Sequence, residues 1–199
     1  YRDDKANLFR LMAASPVNKI IQGRQQKPSK VAITNADDPH AELYRQAAGP
    51  NVRQLSYAVH DPAADLRAVD IVSSRRGLSF TLVTPQSQYP LRLQLVGDFY
   101  VYNVLAALSV AYARSIDLSL AIKRLEAITG INGRMDQVDQ GQPFSVLVDY
   151  AHNPDSFEQV MGMMRPLTEG RMIAVFGSAG ERDREKRPIQ GEIAGRWCD

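Results

Sequence analysis

Apolar side chains change their spacing several times along this chain, and each change marks an element. In residues 1–14, Ala6, Leu8, Phe9 and Met12 recur at helical intervals, and Ser15-Pro16 ends the pattern. Lys19 to Lys30 is polar and basic and predicts a loop or connector. Val31 to Thr34 predicts a short apolar strand running into Asn35-Ala36-Asp37-Asp38-Pro39, a cluster of turn formers. Pro39 to Ala48 then suits a short helix with proline in its first turn. From 52 to 96 the spacing shifts to alternation. Strands are expected at 52–58, 66–73, 78–84 and 91–96, with turns at Gly77 and Pro85-Gln86-Ser87-Gln88. That pattern predicts an antiparallel sheet with one wet face.

Residues 99–114 return to helix, apolar almost all round, which predicts burial. Asp117 is placed to cap the next helix, whose Leu118, Ala121, Ile122, Leu125 and Ile128 share one face. Gly130-Ile131-Asn132-Gly133 ends it, dividing the chain into domains 1–131 and 132–199. Beyond that point the pattern reads β-α-β-α. Val146-Leu147-Val148 and Met172 to Phe176 are short apolar runs, as in parallel strands covered on both faces. Asn153 and Pro154 suit the start of a helix whose stripe is Phe157, Val160, Met161 and Met164, and another helix is expected from about Pro188. The fold class is α/β, with a Rossmann-like parallel sheet begun in the second domain.

Composition narrows the function. The 199 residues carry 24 Lys+Arg against 22 Asp+Glu, a balance that argues against a duplex-coating nucleic-acid binder. One cysteine, Cys198, excludes an internal disulfide framework and a multi-cysteine zinc site, and fits a reducing compartment. No run approaches the ~20 apolar residues of a membrane span. The chain starts without methionine in helix-compatible sequence and ends inside another helix, so a piece of a longer protein is expected.

In open α/β sheets, ligands bind beyond the carboxyl ends of the strands. Two loops leave strands there: Asp149 to Pro154, and Gly177 to Arg187. Asp149 is placed to accept hydrogen bonds from ribose hydroxyls, or to cap local backbone amides as a turn residue. His152 precedes a helix N-terminus, whose field favours an anion nearby and a neutral imidazole; a surface histidine is the plainer alternative. Arg182 and the charged run after it follow a glycine turn and could clamp a carboxylate or phosphate, or be a solvated run. No Gly-Lys-Ser/Thr follows those glycines, which excludes a Walker loop there. Arg134 could stack on a base or pair with phosphate, and the Asn103 amide could read a base edge; each alone also suits a local contact. Lys5 reads as a solvated lysine.

Together these motifs resemble the Mur ligase family. The likeness runs in order through Thr34-Asn35-Ala36-Asp37-Asp38-Pro39, Gly97-Asp98-Phe99-Tyr100-Val101-Tyr102-Asn103, Gly133-Arg134-Met135, Val148-Asp149-Tyr150-Ala151-His152-Asn153-Pro154-Asp155 and Val175 through Pro188. It covers nearly the whole chain. The sequence departs from the family at Tyr100, where Asn is frequent, and at Asp98, where a basic residue is common.

The resemblance implies the C-terminal half of a central ATPase domain, followed by the start of a Rossmann-like C-terminal domain that binds an amino acid. It is strongest to the branch that adds the third amino acid, L-lysine or meso-diaminopimelate, to UDP-N-acetylmuramoyl-L-Ala-D-Glu in peptidoglycan synthesis. ATP and magnesium are the implied cofactors, and an acyl phosphate the implied intermediate. By match, Asn103 contacts adenine, Arg134 lies beside the nucleotide, Asp149 binds ribose and His152 sits near the phosphates. Arg182 grips the carboxylate of the incoming amino acid, and Lys5 is carbamylated and supports magnesium. The expected partners are the UDP-muramoyl dipeptide and a free amino acid, with no nucleic acid or membrane, in a cytoplasmic monomer. The phosphate-binding loop is expected upstream and the amino-acid selectivity motif downstream, so this chain by itself is expected to be inactive. Folylpolyglutamate and cyanophycin synthetases, sister branches, share the His-Asn-Pro wording; a non-catalytic Mur-like module is the rival from another class.

Overall fold

In the computed structural model, the chain is described over residues 2–15, 19–21, 24–26, 29–74, 77–178 and 183–199. It divides into two compact units: 1–72 with 78–93 and 99–127, and 73–77 with 94–98 and 128–199.

The first unit is built on a five-stranded sheet in chain order: β3 (Val31–Asn35), β4 (Arg53–Ala58), β5 (Leu66–Ser74), β6 (Gly77–Val83) and β7 (Gln88–Leu93). α1 (Arg2–Ala14) and α2 (Ala41–Ala48) pack together beside β3. Their contact buries Ala32, Ala48 and Val52 under Phe9, Met12 and Ala13, with the Phe9 and Tyr44 rings stacked at 5.6 Å. Lys30 Nζ closes the end of α1 by donating to the Ala13 carbonyl at 2.8 Å. The segment expected to be a connector instead holds two short paired strands, β1 (Lys19–Ile21) antiparallel to β2 (Arg24–Gln26).

The antiparallel expectation for 52–96 is corrected at β4 with β5 and holds at β6 with β7. β3 pairs parallel with β4, and β4 parallel with β5, whereas β6 and β7 pair antiparallel with Leu78 opposite Leu93. Alternation reports which face is buried and says nothing of a neighbour's direction; α2 supplies the crossover that lets β4 run parallel to β3. Leu66, Leu82 and Leu91 point into the core.

α3 (Phe99–Ala113) packs on β3 and β4. Its burial is one-sided, contrary to the all-round apolar reading: Tyr100, Val101, Val104, Leu105, Leu108 and Ser109 face inward, while Asn103 and Ala107 are exposed and Val110 keeps 52% of its surface. α4 (Leu118–Glu126) starts at Asp117, whose carboxylate accepts from the Ser119 amide at 2.8 Å, and buries Leu118 and Ile122. Glu126 at its end accepts from the Arg92 amide at 2.9 Å, satisfying a donor on edge strand β7.

The second unit holds a two-stranded ladder, β8 (Asp136–Val138) antiparallel to β9 (Val146–Val148). It continues with α5 (Pro154–Met164), a 3-10 turn at Arg165–Leu167 and α6 (Lys186–Trp197). Phe157, Met161, Ile193 and Ala194 form its core, with Met172, Ala174 and Trp197 packed against them. Asn153 caps α5 in a capping box with Ser156, and Pro154 opens the helix, as the sequence predicts. Met172 to Phe176 does not form the expected strand. Phe157 meets Phe176 edge-on at 4.9 Å, but Ile173 and Val175 remain 68% and 95% exposed. No parallel pair forms among the described residues of this unit, because an apolar run becomes a strand only when another backbone lies alongside.

Candidate functional site

The second unit brings three of the predicted residues together around Asp149, which follows β9. The chain enters from Gly133, at φ +68°, and Met135, at φ +49°. A left-handed methionine costs roughly 1–2 kcal/mol unless its surroundings hold it. Asp149 does so: Oδ2 accepts from the Met135 amide at 2.9 Å, while Oδ1 accepts from the Ala151 amide at 2.7 Å. The Tyr150 amide donates to the Gly133 carbonyl at 2.8 Å, locking the two segments together. Asp149 is thus a backbone cap in this geometry, and each oxygen keeps a lone pair for a further donor.

Arg134, between the two left-handed residues, is exposed, with its guanidinium carbon 5.4 Å from the Tyr150 ring centroid. That is within cation–π range. The Tyr150 ring in turn lies 5.1 Å from the His152 ring. His152 Nδ1 sits 3.1 Å from the Tyr150 carbonyl, which can only accept, so a proton is assigned to Nδ1. Arg134, Tyr150 and His152 form an exposed cluster beside the N-terminus of α5, a surface suited to a flat or anionic ligand. Tyr150 was not singled out by sequence reasoning, although its place between Asp149 and His152 is the signal that could have found it. Arg182 lies outside the described residues.

In the first unit, Lys5 is on the exposed side of α1 and Asn103 on the exposed face of α3. Among the described residues, no three His, Cys, Asp or Glu side chains gather to hold a metal ion. A lysine carbamate would supply one oxygen ligand there, which suits a hard cation as part of a larger set.

Sequence reasoning also missed a polar centre at the carboxyl edge of β3 and β4. Asp37 accepts from the backbone amides of Val59 at 2.7 Å, His60 at 3.1 Å and Asp61 at 2.9 Å, and from the Tyr102 hydroxyl at 3.0 Å. Burial acts to raise the Asp37 pKa, but hydrogen bonds from Val59, His60, Tyr102 and Asp61 outweigh it and hold the carboxyl below its usual value. The Tyr102 phenol is pushed up to about 12, by burial first and then by its bond to Asp37. The acidic turn after an apolar strand was visible in the sequence; its donors, 22 to 65 residues away, were not.

Two family models match the chain: the Mur ligase middle domain over residues 17–111, and the Mur ligase glutamate ligase domain over 133–199. A UDP-N-acetylmuramyl-tripeptide synthetase of Roseiflexus sp. (strain RS-1) is 52% identical over the full 199 residues. A UDP-N-acetylmuramoyl-L-alanyl-D-glutamate--2,6-diaminopimelate ligase of Bacillus velezensis is 38% identical over the same length. The chain spans 38% of the length of each of these two relatives. Among solved structures, one of a UDP-N-acetylmuramoyl-L-alanyl-D-glutamate--2,6-diaminopimelate ligase matches all of this chain and 38% of its own, at TM-score 0.69 and 31% identity. Folylpolyglutamate synthetase of Lactobacillus casei matches 99% of this chain and 46% of its own, at TM-score 0.70 but 14% identity, a likeness of fold alone. No helix among the described residues is long and apolar enough to cross a membrane.

Proposed function

The chain belongs to the Mur ligase family, and from that premise we propose that the full-length protein is an ATP-dependent ligase adding the third amino acid to UDP-N-acetylmuramoyl-L-Ala-D-Glu. The observation that carries this reading is the 52% identity, along the whole chain, to a tripeptide synthetase. Diaminopimelate is the favoured amino acid, with L-lysine as the alternative, since the B. velezensis relative is named for diaminopimelate. The enzyme works in the cytoplasm as a monomer, where ATP and the UDP-linked dipeptide are available, with residues 1–131 belonging to its central domain and 132–199 to its C-terminal domain.

In this reaction the dipeptide's carboxylate takes the γ-phosphoryl group of ATP as ADP leaves, the incoming amine attacks the acyl carbon, and phosphate leaves and the amine gives up a proton as the amide forms. Magnesium, when bound, offsets phosphate charge. The chain's own residues bind and orient. The Asn103 amide reads the adenine edge, and the Arg134 guanidinium, steadied over Tyr150, lies against the nucleotide. Asp149 keeps oxygen lone pairs for ribose hydroxyls while holding the turn that carries Arg134. His152, its Nδ1 held at the Tyr150 carbonyl, lies near the phosphates. Arg182 pairs with the carboxylate of the incoming amino acid, and Lys5, as a carbamate, is an oxygen ligand for magnesium.

Phosphate release by the full-length protein tests the reading, with ATP, magnesium and UDP-N-acetylmuramoyl-L-Ala-D-Glu, and diaminopimelate or lysine offered separately. Release that depends on one amino acid supports the proposal and names the substrate. A folded protein that binds ATP but releases phosphate with neither belongs with the folylpolyglutamate or cyanophycin branch. One that binds no ATP is a non-catalytic module.

A further inference from the structure

We propose that Asp37 and Tyr102 are positioning residues for the nucleotide site, their side-chain hydrogen bond setting where α3 presents Asn103. The inference rests on the reading of Asn103 as the adenine contact. Three backbone amides and one hydroxyl converge on the Asp37 carboxylate. A carboxylate offers about four acceptor positions, so this one is filled from within the protein and has no vacancy for a metal or substrate. Its role is to hold its donors, which are the segment just past β4 and the first turn of α3.

That turn needs holding. The first amides of a helix lack intrahelical partners, and in α3 those of Phe99, Tyr100 and Val101 are among them. Tyr102 fastens the turn from outside, to a carboxylate anchored at the carboxyl edge of two parallel strands. Tyr102 and Asn103 are consecutive, so they project about 100° apart around the helix axis, and any roll of α3 that breaks the bond swings Asn103 equally. Apolar packing resists such a roll less specifically, because burial is non-directional, whereas a hydrogen bond to an ionised acceptor is directional and stronger than a neutral one.

The test is steady-state kinetics of the full-length ligase, with KM measured separately for ATP, the UDP-muramoyl dipeptide and the amino acid. Tyr102→Phe removes one hydroxyl and keeps the ring, so it is expected to fold. It should raise the KM for ATP about five- to tenfold, with the other two KM values and kcat within about twofold. Asp37→Asn should move the same constant in the same direction. In the Asn103→Ala background, Tyr102→Phe should have no further effect on the KM for ATP. Equal changes in all three KM values, or additivity with Asn103→Ala, would mean a general tether and overturn the proposal. So would an unchanged KM for ATP in Tyr102→Phe beside a raised one in Asn103→Ala. If Asn103→Ala itself leaves the KM for ATP unchanged, the adenine reading fails and takes the positioning role with it, a failure recognisable by its own variant.

Discussion

The two units handle similar apolar sequence differently. Leu78–Leu82 of β6 and Met172–Phe176 of the second unit are both short runs rich in large apolar residues. β6 has a strand on either side and buries Leu78, Phe80 and Leu82. Among the described residues Met172–Phe176 has none, and Val175 stands 95% in solvent. The difference is one of backbone partners. A strand inside a sheet satisfies its amides and carbonyls through its neighbours, and only then can its side chains be covered on both faces. In the second unit, Met172 pairs with Asp199, donating its amide to the Asp199 carboxylate and accepting from the Asp199 amide, both at 2.9 Å. Hydrogen bonds from Met172 and from Arg165 hold that carboxyl below its usual pKa.

The sharpest way to break the comparison is to truncate one side chain in each region. Leu82→Ala removes a β6 residue with 0% exposure, and should cost the first unit about 2–5 kcal/mol. Val175→Ala should change stability by no more than about 0.5 kcal/mol. Urea unfolding read by far-ultraviolet circular dichroism and by Trp197 fluorescence distinguishes them, since the only tryptophan belongs to the second unit. A comparable cost for Val175→Ala would mean that the segment is packed after all.

Asp37→Asn removes a charged acceptor from four donors and should cost the first unit roughly 1–3 kcal/mol at neutral pH. Its folded pKa is depressed, so its stabilisation is present above the unfolded value of about 3.9 and is lost as pH falls through the folded value. Urea midpoints of the natural chain should therefore fall steeply below about pH 4, and those of the variant less so. Parallel acid limbs for the two proteins would remove Asp37 from the account.

Smaller effects sharpen the picture in the second unit. Asn153→Ala removes the α5 cap and should cost ~1 kcal/mol, seen as faster amide exchange in the first turn of α5 with β6 unchanged. Gly191→Ala, at an exposed position in α6 with nothing within 4 Å of an added Cβ, should stabilise by about 0.5–1 kcal/mol. A loss of stability there would show that α6 is not helical at that point in solution.

Much of this molecule was legible before any coordinates. Helical periodicity located α1, α3 and α4, and the capping residues Asp117 and Asn153 and the proline at the start of α5 were readable from local chemistry alone. The ordered motifs from Thr34 to Pro188 pointed to the Mur ligase family, because spacing along a chain survives in sequence. What the sequence does not contain is a list of which distant backbone lies beside which. Strand direction in β3–β4–β5, the exposed face of α3, the unpaired run at Met172–Phe176 and the junction of Asp37 with Tyr102 all depend on such pairings. Periodicity and capping are settled within a few residues and can be read from them; pairing and burial are settled between segments tens of residues apart, and only the folded chain decides them.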